Sequence, residues 1–140
     1  MVERLVANEK VEGSNPFARS KRSFLVSKMD DLSKKKCIAC DGNIPPFDKS
    51  EIHKYLKKVD DWDVKSNEHK NFYLIKNFKF KNFEESLNFV NKVGEIAEQE
   101  NHHPDISFGW GYCKIKIFTH AIKGLAESDF ILAAKIDRLD

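Results

Sequence analysis

The chain has 140 residues, with 24 Lys+Arg against 22 Asp+Glu for a formal charge of +2, 41% hydrophobic residues and eleven Phe. The two signs nearly cancel and the aromatic content can furnish a core, which excludes a disordered polyelectrolyte. Six Gly and four Pro exclude a collagen-like or low-complexity chain. No apolar run approaches the ~18–20 residues of a membrane span, and three Cys are too few for a disulfide scaffold, so a reducing compartment is the default.

The charge is unevenly placed. Residues 1–28 hold six basic and three acidic residues, +3, while 29–140 hold 18 and 19, −1. The N-terminal segment has Gly13, Ser14, Asn15 and Pro16 in succession and no sustained apolar period, and it reads as a disordered basic extension. Phe24-Leu25-Val26 is too short for a signal peptide, and three Glu argue against an organellar transit peptide. A third reading also stands. Val2 to Val6 and Glu12 to Phe17 look like translated transfer-RNA gene sequence, which would make Met29 the natural start; the intact mass of the native protein distinguishes the two.

From Met29 a polar lead runs into Cys37-Ile-Ala-Cys40-Asp-Gly42-Asn-Ile-Pro45-Pro46, an irregular, turn-rich stretch. Asp48 or Ser50 can cap a helix to about Lys58, with Ile52, Tyr55, Leu56 and Val59 on one side, which Asp60-Asp61-Trp62-Asp63 breaks. Phe72, Leu74, Phe78 and Phe80 at even spacing predict a strand within 69–80. Asn82 caps a long helix carrying Phe83, Leu87, Val90 and Ala97, widened by Phe89, Val93 and Ile96, and Pro104 ends it. A short strand near Ser107-Phe108 leads to a second clear strand over 112–119, where Cys113, Ile115 and Ile117 alternate with Tyr112, Lys114 and Lys116. Ser128 can cap a last helix carrying Phe130, Leu132, Ala133, Ile136 and Leu139. This order predicts an α+β domain over 29–140, an antiparallel sheet covered on one face by helices.

His102 and His103 stand at the end of the long helix, and His120 closes the second strand. Glu98, four residues before His102, can hold that imidazole and raise its pKa as far as helical geometry persists. Imidazoles so placed suit proton transfer near neutral pH. The competing reading is a solvent-exposed pair beyond an acidic helix, with His120 a satisfied strand-end residue. His53 and His69 sit among Lys and Glu and read as solvated. Cys37-x-x-Cys40 has the spacing of half a zinc knuckle, but no second pair follows. Cys113 reads as buried, and Trp110 and Phe108 as core residues more than pocket walls.

Taken together, Glu98-x3-His102-His103-Pro104, Trp110 after five intervening residues, His120 after nine more and Asp129 after a further eight resemble the signature of the pterin-4a-carbinolamine dehydratases. Thr119-His120 and Gly124-Leu125 followed by Ser128-Asp129 agree. The lead of Cys37, Ala39, Cys40, Gly42, Pro45 and Pro46, with Trp62, is similar to microbial members. The resemblance covers roughly residues 37–139.

The resemblance implies a four-stranded antiparallel sheet with three helices packed on one face, and a pterin pocket built from the helix end and the strand end. His102, His103 and His120 fall on the family's essential histidines, with Asp129 beside them as an orienting or capping residue. Asn101, Phe118, Thr119 and Ala121 fall on pterin-contacting positions. Asn101, Phe118 and Ala121 depart from the Asp, Ser and Glu of animal members. Glu98 and Trp110 would support the site. The implied reaction removes water from a 4a-hydroxytetrahydropterin by histidine acid–base chemistry, giving the quinonoid dihydropterin and recycling the pterin of aromatic amino-acid hydroxylases. It needs no cofactor or metal, since the pterin is the substrate. A cytoplasmic homodimer or homotetramer is implied, with neither nucleic acid nor membrane as partner. The alternative is a non-enzymatic binding or dimerisation cofactor of the same fold, because animal relatives also serve a homeodomain transcription factor in that role.

Overall fold

The computed structural model describes residues 31–38 and 42–139. The readings made on residues 1–28 and on Cys40 lie outside them. Three α-helices, α1 (Lys49–Leu56), α2 (Phe83–Glu100) and α3 (Glu127–Asp137), accompany four strands: β1 (Asp63–Ser66), β2 (Phe72–Lys79), β3 (Asp105–Gly109) and β4 (Tyr112–Ile117). The sheet order is β1-β2-β4-β3, antiparallel throughout. No described helix is long and apolar enough to cross a membrane.

Alternation in the central strands decides which face is covered. Leu74, Cys113, Ile115 and Ile117 are fully buried against the helices, whereas Tyr112 and Lys114, which alternate with Cys113 and Ile115, are exposed. The helix starts are specified locally. Asp48 accepts the Glu51 N–H at 2.8 Å while the Glu51 carboxylate accepts the Asp48 N–H, a capping box. Asn82 Oδ1 accepts the Glu85 N–H at 2.9 Å. The buried face of α2 is Ser86, Phe89, Val93 and Ala97. Phe83 and Leu87, expected in the apolar stripe, stay exposed because the stripe is wider than the contact it makes.

Two elements carried no clear sequence signal, and two expectations, on Trp110 and Ser128, are corrected. β1 follows directly on Trp62; its four residues include a single apolar one, too short a run to show alternation. The polar lead is part of the fold: Asp31 caps a 3-10 turn over Leu32–Lys34, and Leu32 is fully buried in the core. Trp110 is 71% exposed at the β3–β4 turn and packs in no core. Ser128 does not cap α3, whose N-cap is Ala126; its hydroxyl instead donates to the Ile38 carbonyl at 2.9 Å.

A lysine and an aspartate are paired at the edge of the core. Lys76 lies on the helix-facing side of β2, between Leu74 and Phe78 in the alternation. Its ammonium donates to Asp137 Oδ1 at 2.8 Å and to the Asp60 carbonyl at 2.6 Å, and lies 4.9 Å from the Phe78 ring centre. Asp137 also accepts from Trp62 Nε1 and the Asp60 N–H, both at 2.9 Å. Burial pushes the Asp137 carboxyl up and Lys76 pulls it back, with burial the larger effect. This fixes Trp62 and the turn before β1 onto the end of α3.

Two substitutions test this frame. Asp137→Ala leaves Lys76 buried without its carboxylate and should cost ~3 kcal/mol in urea unfolding. Leu32→Ala should cost ~2–4 kcal/mol if residues 31–38 complete the core; a loss below about 0.5 kcal/mol, the range of surface changes, would mean that the segment is not docked.

Candidate active site

The long helix ends at Glu100, before Pro104 requires it to. Asn101 takes up a left-handed conformation, φ 53, and its N–H bonds back to Ala97 and Glu98. The next N–H, that of His102, reaches the Ala97 carbonyl at 3.1 Å, the closing bond of a Schellman turn. Asn is among the few residues that tolerate this conformation, which explains its place here. The turn swings the chain away from the helical path, so His102 no longer stands over Glu98.

The imidazole pairings therefore differ from the expected one. His103 Nε2 meets Glu98 Oε2 at 2.5 Å, an exposed pair. His102 turns inward to Asp129, Nε2 to Oδ1 at 2.7 Å. Asp129 is fully buried, and its second oxygen accepts the Thr119 hydroxyl and the Ala126 N–H, each at 2.8 Å. Orienting a histidine and capping a helix, set out above as alternatives, are both done by this one carboxylate. With Asp129 ionised, the proton of this contact lies on His102 Nε2, because a carboxylate can only accept.

Thr119 carries the connection to the third histidine. It follows β4, is buried, and forms a bridge with Gly124 that closes the 3-10 turn His120–Ile122. His120 thus leaves the sheet one residue beyond the Asp129 contact. Its ring is exposed and packs on Phe118, centroids 4.2 Å apart. Asn101 and Ala121 are exposed.

A cavity of about 520 Å³ opens on the sheet face away from the helices, with His120, Phe118, Tyr73, Lys116, Lys123 and His69 among its walls. His102 and His103 do not line it. His120 therefore belongs to both features: it follows the Thr119–Asp129–His102 link and forms part of the cavity wall. His69 and His53 are exposed, as expected, but the place of His69 in this wall had no signal in the sequence. Among the described residues no three His, Cys, Asp or Glu side chains are grouped to hold a metal ion.

A further layer holds α3. The Cys37 N–H donates to Glu100 Oε1 at 2.8 Å, its thiol to the Ser128 carbonyl at 3.4 Å, and the Ile38 N–H to the Ser128 hydroxyl at 3.3 Å. Burial pushes the Glu100 carboxyl up, but the Cys37 N–H, Lys135 and Lys36 pull harder and leave it below its ordinary value. Burial, with Glu100 next, pushes the Cys37 thiol up to about 12. Burial alone takes Cys113 up to about 12.

The model of the family described as "Pterin 4 alpha carbinolamine dehydratase" matches residues 45–139. The chain belongs to this family. A protein of Rubrobacter xylanophilus, provisionally named a pterin-4-alpha-carbinolamine dehydratase, is 49% identical over 111 residues, 79% of this chain and 100% of its own length. One of Rickettsia canadensis with the same provisional name is 50% identical over 110 residues, 78% of this chain and 97% of its own. The crystal structure of a transcriptional coactivator/pterin dehydratase from Brucella melitensis superposes with a TM-score of 0.58 at 25% identity, covering 65% of this chain and 94% of that one.

Asp129→Asn puts an amide NH2 against His102 or against the Thr119 and Ala126 donors, and should cost ~2–3 kcal/mol in urea unfolding. The sign for Glu100 follows from its lowered pKa. Its contribution is complete at pH values above the unfolded-state value of about 4.3 and is lost as pH falls through the folded value. Glu100→Gln should therefore lower stability at pH 7 and flatten the loss between about pH 5 and 3. Because Cys37 and Cys113 remain thiols at pH 8, site-resolved mass mapping should find both alkylated by iodoacetamide far more slowly than a free cysteine.

Proposed function

We propose that the protein eliminates water from a 4a-hydroxytetrahydropterin. The observation that carries this reading is the buried Asp129 carboxylate, which holds His102 with one oxygen and the residue before His120 with the other. The substrate is a carbinolamine. The C4a–O bond breaks as the hydroxyl takes a proton and leaves as water. The N5 proton is released to a base, and the N5–H electrons form the C4a=N5 bond of the quinonoid dihydropterin. The step is redox-neutral and needs one acid and one base that titrate near neutral pH, which imidazole supplies.

His102 and His120 fill those two roles, with His103 binding the substrate. Asp129 is a positioning residue: it fixes the ring of His102 and its tautomer, as the orienting carboxylate does in other imidazole-based sites. Thr119, Asn101, Phe118 and Ala121 contact the pterin in this reading, and Glu98 holds His103. A homodimer or homotetramer in the cytoplasm completes it.

The test is an assay on enzymatically generated 4a-hydroxytetrahydropterin. The protein should accelerate loss of its ultraviolet signal above the spontaneous rate. His102→Ala with His120→Ala should return the rate to background with an unchanged circular dichroism spectrum, and either single change should cost ~10²-fold. No acceleration by the unsubstituted protein sinks the enzyme reading. The coactivator role in the name of the Brucella protein is what favours a binding function instead. In that case light scattering with a candidate partner should give a stoichiometric complex without turnover.

A further inference from the structure

The cavity beside His120 has a chemistry that proton transfer does not use. Tyr73, Phe118, Lys116, Lys123, His69 and His120 line it, with no carboxylate among the lining residues. Lys116 comes from the open face of β4, opposite Ile75 of β2, and its ammonium lies 4.3 Å from the Tyr73 ring centre and 5.5 Å from that of Phe118. Asp105 of β3 is its partner on the other side of the strand. Even so, among the described residues no ion pair within 4.0 Å is formed by Lys116 or Lys123. The carboxylate nearest the histidines of this wall is Glu68, 3.7 Å from His69 at an exposed position.

Lys123 is the second lysine of the wall. It ends the 3-10 turn in the left-handed region, φ 54, directly before Gly124. Glycine or asparagine takes that conformation at little cost, whereas a lysine there is mildly strained. From this turn Lys123 lines the cavity. On the opposite wall His69 is held by the β1–β2 turn, where Asn67 Oδ1 accepts the N–H of His69 at 2.9 Å and of Asn71 at 3.0 Å.

We propose that this cavity is a subsite for an anionic group, phosphate or carboxylate, carried on the substituent at C6 of the pterin. The inference rests on the dehydratase reading, because it takes the reacting ring to sit at His120. C6 is bonded to N5, so its substituent leaves the ring next to the reacting centre. A chain can then run from His120 along the Phe118 and Tyr73 rings to the ammonium groups of Lys116 and Lys123. A neutral methyl or hydroxyalkyl substituent would leave both charges unused.

The experiment compares two 4a-hydroxytetrahydropterins, one with a 6-methyl group and one whose 6-side chain ends in a monophosphate. The phosphorylated compound should show a kcat/KM about tenfold higher, mostly through KM, with the advantage shrinking as KCl is raised. Lys116→Gln and Lys123→Gln should each move the ratio of the two kcat/KM values toward one. Calorimetry with the corresponding stable, fully oxidised pterins reads the same preference without turnover. A ratio near one in the unsubstituted protein by both measurements overturns the subsite, as does a ratio that neither lysine substitution changes. If neither compound is turned over, the dehydratase reading fails, and the calorimetric comparison alone decides whether the cavity selects the anion.

Discussion

A carboxylate buried with no exposed surface is costly unless every oxygen is occupied, and Asp129 meets that requirement with donors from separate parts of the chain. The His102 ring comes from beyond α2, the Thr119 hydroxyl from the end of β4, and the Ala126 N–H from the start of α3. Removing any one leaves the other two arranged around an incompletely satisfied charge. The relative placement of the helix end, the strand end and α3 is therefore coupled through one side chain. His102 and, through Thr119, the start of the turn carrying His120 take their positions from that coupling.

The surrounding contacts serve the same purpose at one remove. Ser128, next to Asp129, exchanges hydrogen bonds with both backbone groups of Ile38. Glu100, next to the helix end that presents His102, takes the Cys37 N–H and pairs with Lys135 of α3 at 3.6 Å. The segment 31–38 is thus a clasp over α2 and α3, anchored by buried Leu32. At the far end of α3, Asp137 gathers Trp62, Asp60 and Lys76. Both ends of the helix carrying Asp129 are tied by buried carboxylates, which limits how far its first turn can move.

Much of this was legible because it is periodic. Alternation in β2 and β4 and the helical spacing in α2 gave an antiparallel sheet with helices on one face, and Asp48 and Asn82 marked helix starts by local capping chemistry. The histidine positions were legible as spacing. What stayed hidden depends on contacts remote in sequence. Nothing local shows that Ser128 serves Ile38, ninety positions away, and leaves the cap to the backbone of Ala126. Nothing in a polar lead marks Leu32 as core. The Glu98 pairing failed for a different reason: four-residue spacing holds only while the helix lasts, and the left-handed Asn101 moves the partnership one residue along, to His103. Pro104 was a real stop signal, but Asn101 acts first.

The alternation that builds the core also separates the two kinds of histidine. On β4 one set of side chains is buried beneath the helices, and the other, Lys114 and Lys116 among them, is turned away from them. Thr119 continues the buried set and reaches Asp129. His120, next in sequence, falls on the exposed side. His102 is consequently a ring fixed at one nitrogen by a buried carboxylate, while His120 is an exposed ring that rests on Phe118. That asymmetry would serve the acid–base pair proposed above. The anchored ring has a direction fixed by its carboxylate, and the other is open to solvent. A single-residue step at the end of a strand is enough to produce both environments from one sequence pattern.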